Sequence, residues 1–311
     1  MSNTDTQSIH QTVLLTEAVD SLVSDRQGCY VDGTFGRGGH SRLILEKLGE
    51  KGFLVGIDKD PDAIVVGKQL MSEDQRFVIY HHSFTEIEQI KERRDISGIL
   101  LDLGVSSPQL DQEIRGFSFM KDGPLDMRMN TFEGETASEW LFHSSEKEIA
   151  KVLKEFGEER FAKRIAKSIV AHQTIGPIKT TAELAKIVAD ANPAWEKGKN
   201  PATRSFQAIR IKVNNELDDL DRILEISARV LKKGGRLVVI SFHSLEDRKV
   251  KRFMRQLAKG TEPPPGVPVK EKDIVRNFRI VGKAIKATLA EIEVNVRSRS
   301  AVMRVLEKTG E

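Results

Sequence analysis

The chain has 311 residues, 39% of them apolar and 31% charged, with 49 Lys and Arg against 46 Asp and Glu. That length allows one large core or two smaller ones; no run approaches the roughly 20 apolar residues of a membrane span, and the polar stretch 1–11 lacks the apolar centre of a signal peptide. A single cysteine, Cys29, excludes an internal disulfide framework, no Cys/His spacing suggests a metal site, and the net charge of +3 permits a polyanionic partner without requiring one, so a cytoplasmic protein is expected.

A short helix is predicted over 10–24, with Val13, Leu14, Ala18, Val19 and Leu22 on one side. Cys29-Tyr30-Val31 reads as a strand that stops at Asp32. Gly33, Gly36, Gly38 and Gly39 fall within the next seven residues, and Arg42-Leu43-Ile44-Leu45 opens a helical pattern. Glycines suit such a turn because they reach positive φ without strain and let backbone approach a ligand, while the helix behind them points free N–H groups at the same place. Gly52 to Ile57 is a continuous apolar run ending at Asp58, the kind of strand a sheet covered on both faces contains. A helix over 61–70, a strand at Phe77-Val78-Ile79-Tyr80 leading into His81-His82-Ser83-Phe84, a charged helical stretch over 86–94 and a strand from Gly98 to Leu103 carrying Asp102 complete the first part. Strands alternating with helices predict a doubly wound α/β sheet.

The pattern changes at Val105. Residues 105–130 form a long irregular stretch with Pro108, Gly116, Gly123 and Pro124, of a length that usually carries function. Capping-box spacings at Thr136/Glu139, Ser145/Glu148 and Thr180/Glu183 then announce helices. Ile149, Val152, Leu153 and Phe156 repeat at helical spacing up to Gly157, a plausible stop; Phe161, Ile165 and Ile169 mark another helix, and Leu184, Ile187, Val188 and Ala191 a third. After Asn214 a helix runs through Leu220, Ile223, Leu224 and Val230 to Gly234-Gly235, followed by a fifth strand, Arg236 to Ile240. Residues 259–270, with Pro263-Pro264-Pro265-Gly266, read as a mobile loop, and 274–281 and 301–306 as closing strands. The expected organisation is a discontinuous α/β domain, 1–107 plus 214–311, interrupted by an all-α insertion, 108–213.

Two cofactor classes use a glycine turn after a first strand: dinucleotides and S-adenosylmethionine. The dinucleotide pattern G-x-G-x-x-G is incomplete here, because Ser41 stands at the third glycine. Asp58, about 20 residues on and at a strand end, suits ribose hydroxyls in either class.

Seven segments in order carry a more specific signal: D-G-T-F-G-R-G-G-H-S, G-I-D-K-D-P-D-A, H-H-S-F, L-L-D-L-G-V-S-S-P-Q-L-D, G-P-L-D-M-R-M, R-S-F-Q-A-I-R-I-K-V-N and S-F-H-S-L-E-D-R. Together they resemble the MraW family over nearly the whole chain. The resemblance implies a class I (Rossmann-like) methyltransferase sheet with a helical insertion, S-adenosyl-L-methionine as cofactor, and methylation of N4 of a cytidine in 16S rRNA at the decoding site of the small ribosomal subunit. It also implies that Gly38, Gly39 and His40 contact the methionine end of the cofactor, Asp58 the ribose and Phe84 the adenine, with Asp102 and Gln109 beside it. Asn130, Ala287 and Val296 depart from the family pattern, none of them in a cofactor motif.

Methyl transfer from a sulfonium needs alignment more than covalent help. Candidate acceptors for a target amine lie after the fourth strand, at Ser106 and Ser107, and after the fifth, where His243, Asp247 and Arg248 follow. Ser241, His243 and Asp247 are too close in sequence for a hydrolase triad and no G-x-S-x-G elbow exists, so His243 is expected to position substrate and no single side chain to be an indispensable general base. For RNA, the helix over 200–214 buries Phe206, Ile209 and Val213 and offers Arg204, Arg210 and Lys212 without one basic face; Lys249, Lys251, Arg252, Arg255, Arg297 and Arg299 add charge later. Competing readings are an NAD-dependent dehydrogenase and a cofactor-binding assembly factor without catalysis.

Overall fold

The computed structural model describes residues 12–90, 95–194, 200–260 and 275–310; the start of the first expected helix, the end of the charged stretch after Glu86, most of the proline loop and Ile274 lie outside them. Two compact units result: Met1–Gly104 with Leu220–Glu311, and Val105–Asp219.

The first unit is built on a sheet that begins with four parallel strands, β1 (Cys29–Asp32), β2 (Phe53–Asp58), β3 (Phe77–His81) and β4 (Ile96–Asp102). β1, β2 and β4 are buried almost throughout, as the continuous apolar runs required, while β3 at the sheet edge buries only Phe77. α1 (Leu15–Leu22) precedes them, and α2 (Gly39–Lys47) and α3 (Pro61–Glu73) come between them. Asp60 caps α3 by accepting from Asp62 N, and Pro61 at its first position needs no partner, so that helix starts where the sequence says and runs three residues past the expected end. The described part of the charged stretch is not an α-helix: Ser83 and Glu86 form a capping box on a 3-10 turn, Phe84–Gln89.

The second unit is helical: α4 (Ser107–Asp111), α5 (Ala137–His143), α6 (Glu146–Gly157), α7 (Ala162–Gln173), α8 (Thr181–Ala191) and α9 (Thr203–Val213). The apolar stripes of α5 to α9 meet in a separate core that includes Trp140, Leu153, Ile165, Ile169, Val188 and Ile209. Thr136, Ser145 and Thr180 each accept from the amide three residues on, as their spacing predicted. Gly157 serves otherwise than expected. The left-handed residue that ends α6 is Glu158, at φ 49°, while a Cβ on Gly157 would stand 2.6 Å from the Arg204 carbonyl oxygen. Glycine is there so that α6 and α9 can approach. The irregular stretch contains α4 and a 3-10 turn, Glu113–Arg115.

The chain leaves this unit through α10 (Glu216–Val230) and re-enters the sheet as β5 (Leu231–Ser241), followed by α11 (Ser244–Lys259), β6 (Phe278–Ile280), β7 (Ile285–Lys286), α12 (Leu289–Val294) and β8 (Val302–Lys308). Strand five starts earlier than predicted because Leu231 already pairs with Ile96; the register then shifts, Lys232 to Gly235 loop out with Gly234 at φ 80°, and Arg236 resumes opposite Gly98. The sheet order is β3-β2-β1-β4-β5-β8-β6, with β7 also on β8, and β8 runs antiparallel to its neighbours. This is the mostly parallel, Rossmann-like sheet expected of a class I methyltransferase. The units divide at 104/105 and 219/220 for a physical reason: Asn214 and Glu216, placed with the sheet in the sequence reading, are held within the helical unit by Met127, Met129 and Arg210. No helix among the described residues is long and apolar enough to cross a membrane.

Candidate active site

Strand order reverses between β1 and β4, and open α/β sheets bind ligands at the carboxyl ends of strands flanking such a point. Asp58, Asp32 and Asp102 are the last residues of three adjacent strands there, β2, β1 and β4. Three carboxylates therefore share one edge.

Asp32 is buried and accepts from Ser41 Oγ (2.7 Å) and Thr34 N (3.2 Å); Thr34 Oγ1 in turn accepts from Asp102 N (2.6 Å). Burial pushes Asp32 up to about 6, against the hydrogen bonds from Ser41 and Thr34, with the nearby charge of Asp58 adding to the rise. Asp58 is half-buried. Its Oδ2 accepts from Gly36 N (2.7 Å) and its Oδ1 from Asp60 N (2.8 Å), so it ties the glycine turn to the end of β2. Burial also pushes Asp58 up to about 6, opposed by those two amides. Asp102 lies well above the usual carboxylate range, first through burial and then through the charges of Asp32 and Glu246. Its Oδ1 is buried with no hydrogen-bond partner among the described residues.

The turn itself is shaped by its own packing. Gly38 sits at φ 75°, and a Cβ there would meet the Phe35 ring at 2.7 Å; a Cβ on Gly39 would collide with Thr12 Oγ1. Gly38 is the N-cap of α2 and offers no side chain to its first amides. His40, in the first turn of α2, is buried; its Nε2 lies 3.2 Å from the Val13 carbonyl oxygen and its Nδ1 3.7 Å from Asp102 Oδ2. Burial lowers His40 to about 4, leaving a neutral ring that donates from Nε2 to Val13 and turns its Nδ1 lone pair towards Asp102. Phe84 is partly exposed beyond β3, close enough to Gly33 that a Cβ there would come within 3.2 Å of Phe84 Cβ, and Lys59 Nζ stands 5.9 Å from its ring centre. Six of the residues expected at a cofactor thus occupy one edge of one unit: Gly38, Gly39, His40, Asp58, Phe84 and Asp102.

The others have local duties. In the helical unit, Ser106 caps α4 by accepting from Gln109 N, Gln109 Oε1 accepts from Ser106 N (2.9 Å), and Ser107 is buried as the first residue of that helix. Arg204 is half-buried on α9, and Arg210 forks onto Glu216 with two 2.8 Å contacts. In the sheet unit, His243 caps α11, its Nδ1 accepting from Glu246 N (3.4 Å) while Glu246 accepts from Phe242 N and His243 N. His243 Nε2 lies 3.1 Å from Glu246 Oε1 without the alignment of a hydrogen bond. Asp247 takes a bidentate contact from Arg304 on β8, and Arg248 is exposed. Asp32, Thr34 and Ser41 escaped the sequence reading as site residues although they stand inside its first motif. Glu246 escaped it too, and the signal available was its capping-box spacing from His243.

The description "MraW methylase family" matches residues 7–309. The chain is 56% identical to the ribosomal RNA small subunit methyltransferase H of Marinomonas sp. (strain MWYL1) over 312 residues, covering 99% of this chain and all of that protein. Among solved structures, a precorrin-6y C5,15-methyltransferase of Geobacter metallireducens GS-15 is similar with TM-score 0.43 and 7% identity, over 98% of this chain and 91% of the other. An rRNA methylase of Streptococcus thermophilus is similar with TM-score 0.39 and 11% identity, over 94% and 92%. The family match and the close relative together show that this chain is a methyltransferase and belongs to the MraW methylase family.

Proposed function

We propose that the protein uses S-adenosyl-L-methionine to methylate N4 of a cytidine in 16S rRNA, at the decoding site of the small ribosomal subunit, in the cytoplasm. The observation that carries the cofactor is the edge of β2, β1 and β4, where a half-buried Asp58 braces the glycine turn and Asp102 keeps a buried oxygen without a partner among the described residues. The rRNA substrate rests on the name of the Marinomonas relative, and the cytidine N4 target on the family resemblance of the motifs. Gly38, Gly39 and His40 are proposed to hold the methionine end, Asp58 the ribose hydroxyls and Phe84 the adenine, with Asp102 alongside; Gln109 joins them on resemblance alone.

When bound, the cofactor supplies an electrophilic methyl group on a sulfonium. The chain's contribution is to hold and orient: Asp32 and Thr34 fix the turn and the Asp102 backbone, and the carboxylate edge favours a cation. The exocyclic amine of cytosine sheds its proton readily once methylated, so alignment controls the rate. His243 spends its Nδ1 on the cap of α11, which suits a positioning role. RNA recognition is assigned to the helical unit together with the exposed cations that follow β5.

Labelled cofactor with purified small subunits should yield N4-methylcytidine in 16S rRNA, and a parallel reaction on naked 16S rRNA identifies the assembly stage used. Cofactor binding without transfer to either would favour the assembly-factor reading, and NAD binding in place of S-adenosylmethionine the dehydrogenase.

The raised carboxyl groups give this site a pH signature. A cationic cofactor favours ionised Asp102, and ribose hydroxyls favour ionised Asp58, so binding releases protons wherever these groups are protonated in the free protein. Affinity should fall as pH drops below about 6, and the binding enthalpy should vary with the ionisation heat of the buffer. Asp102→Asn should lower the affinity and remove that group's share of the proton release. Identical enthalpies in phosphate and Bis-Tris at pH 6 would contradict this.

A further inference from the structure

The outward face of α7 departs from ordinary helix chemistry. Within Ala162–Gln173 there are three cations, Lys163, Arg164 and Lys167, and no Asp or Glu, so this one helix carries as much net charge as the whole chain, +3. All three are exposed. At 100° per residue they lie on one arc opposite the buried stripe Ala162, Ile165, Ala166 and Ile169, and Arg160, exposed just before the helix, falls on the same arc.

This placement costs the helix stability. Lys163 and Arg164 stand in the first turn, where the helix dipole disfavours positive charge, and Lys163 with Lys167 is a like-charge i,i+4 pair. Helices α5, α6 and α8 of the same unit instead begin with a Ser or Thr cap and glutamate in the first turn. None of Lys163, Arg164 and Lys167 makes an ion pair or hydrogen bond with a described residue. By contrast, Lys186 on α8 pairs with Asp190 at 2.6 Å, and Arg210 with Glu216. Arg160 lies over the Phe161 ring, 5.3 Å from its centre, which keeps its guanidinium near the same arc. A solvated surface helix would gain from interspersed carboxylates; a face that excludes them fits a polyanion.

We propose that the face formed by Arg160, Lys163, Arg164 and Lys167 is a phosphate-backbone docking surface, through which the helical unit grips the RNA substrate. This inference rests on the proposed RNA reading and extends it to a site. Side chains at i, i+3, i+4 and i+7 span about 10 Å along the helix axis, a length that covers successive phosphates of one strand. The face positions substrate and touches no reacting atom, so its removal acts on binding and leaves the chemical step alone.

The test is the triple substitution Lys163→Ala, Arg164→Ala, Lys167→Ala, with Lys186→Ala as a control for loss of a charge already neutralised. Binding of purified small subunits and of a labelled 16S rRNA fragment is measured from 50 to 300 mM salt, with methyl-transfer kinetics on the same substrate. Losing three phosphate contacts should weaken binding roughly 10- to 100-fold near 100 mM salt and reduce the slope of log K against log salt by about 2 to 3. KM should rise while kcat at saturating RNA stays within about twofold. Thermal stability should hold or increase, because the removed charges oppose the dipole and one another, an outcome that a merely structural role for these residues would not give. A wild-type enzyme that methylates the RNA, beside a triple variant with the same affinity and salt slope, would overturn the docking face and leave the RNA reading standing. A wild-type protein that neither binds nor methylates small-subunit RNA would overturn both.

Discussion

Replacing Asp58 by alanine is expected to weaken S-adenosylmethionine binding by at least roughly two powers of ten in a protein that still folds. A carboxylate that takes two ribose hydroxyls makes charge-assisted hydrogen bonds of about 1.5–3 kcal/mol each, and every 1.4 kcal/mol is about tenfold in affinity. The substitution also frees Gly36 N and Asp60 N, which Asp58 accepts at 2.7 and 2.8 Å, so the turn loosens as the ribose contacts disappear. The fold should survive, because Asp58 is a strained presence when ionised. Its folded pKa, about 6, lies above the ordinary value of 3.8; the stability it contributes is present below pH 4 and is lost as pH rises through 6. At pH 7 the alanine variant escapes that penalty. Asp58→Asn keeps an acceptor and should show an intermediate affinity. Calorimetry that found wild-type affinity in a folded Asp58→Ala protein would remove Asp58 from the cofactor site.

Asn214→Ala should destabilise the helical unit by about 2–3 kcal/mol. One amide side chain holds three backbone groups: Nδ2 donates to the carbonyl oxygens of Met127 (2.8 Å) and Arg210 (2.9 Å), and Oδ1 accepts from Met129 N (2.7 Å). Each such bond contributes about 0.5–1.5 kcal/mol, more when its loss strands a buried group. The clasp closes on a strained segment, since Met127 is buried in the left-handed region at φ 63°. Arg115 supports the same segment by donating to the Arg128 and Met129 carbonyl oxygens. Release of strain at Met127 offsets part of the loss, which keeps the expected figure below the sum of three bonds. Thermal unfolding and amide exchange at Met127–Met129 read the effect directly. Asn214→Asp provides a sharper comparison: it keeps the acceptor for Met129 N but sets a carboxylate against two carbonyl oxygens, so it should be no better than alanine. An Asn214→Ala protein with unchanged stability and unchanged exchange at Met129 would mean that the clasp holds nothing.

Local chemistry sufficed for much of this protein. The apolar runs ending at Asp32, Asp58 and Asp102, the glycine turn before α2, and the Ser and Thr caps of α5, α6 and α8 are governed by burial periodicity, positive φ and orphan amides, all of which act within a few residues and are legible in order along the chain. The alternation of those runs also implied a parallel sheet, and the ordered motifs implied the family. Only the tertiary structure decided what each side chain is free to do. Asp247, read as a substrate contact, is engaged by Arg304 from a strand 57 residues away, and Arg210 by Glu216. Gly157, read as a helix stop, is the place where α6 meets α9, and Asn214, the end of a motif, is the clasp on a segment 85 residues earlier. Asp102 shows the reverse case, an acid at a strand end whose buried oxygen no described residue satisfies. Hydrogen bonds and ion pairs are settled by distance in space, and partners this far apart in the chain leave no periodic trace in the sequence between them.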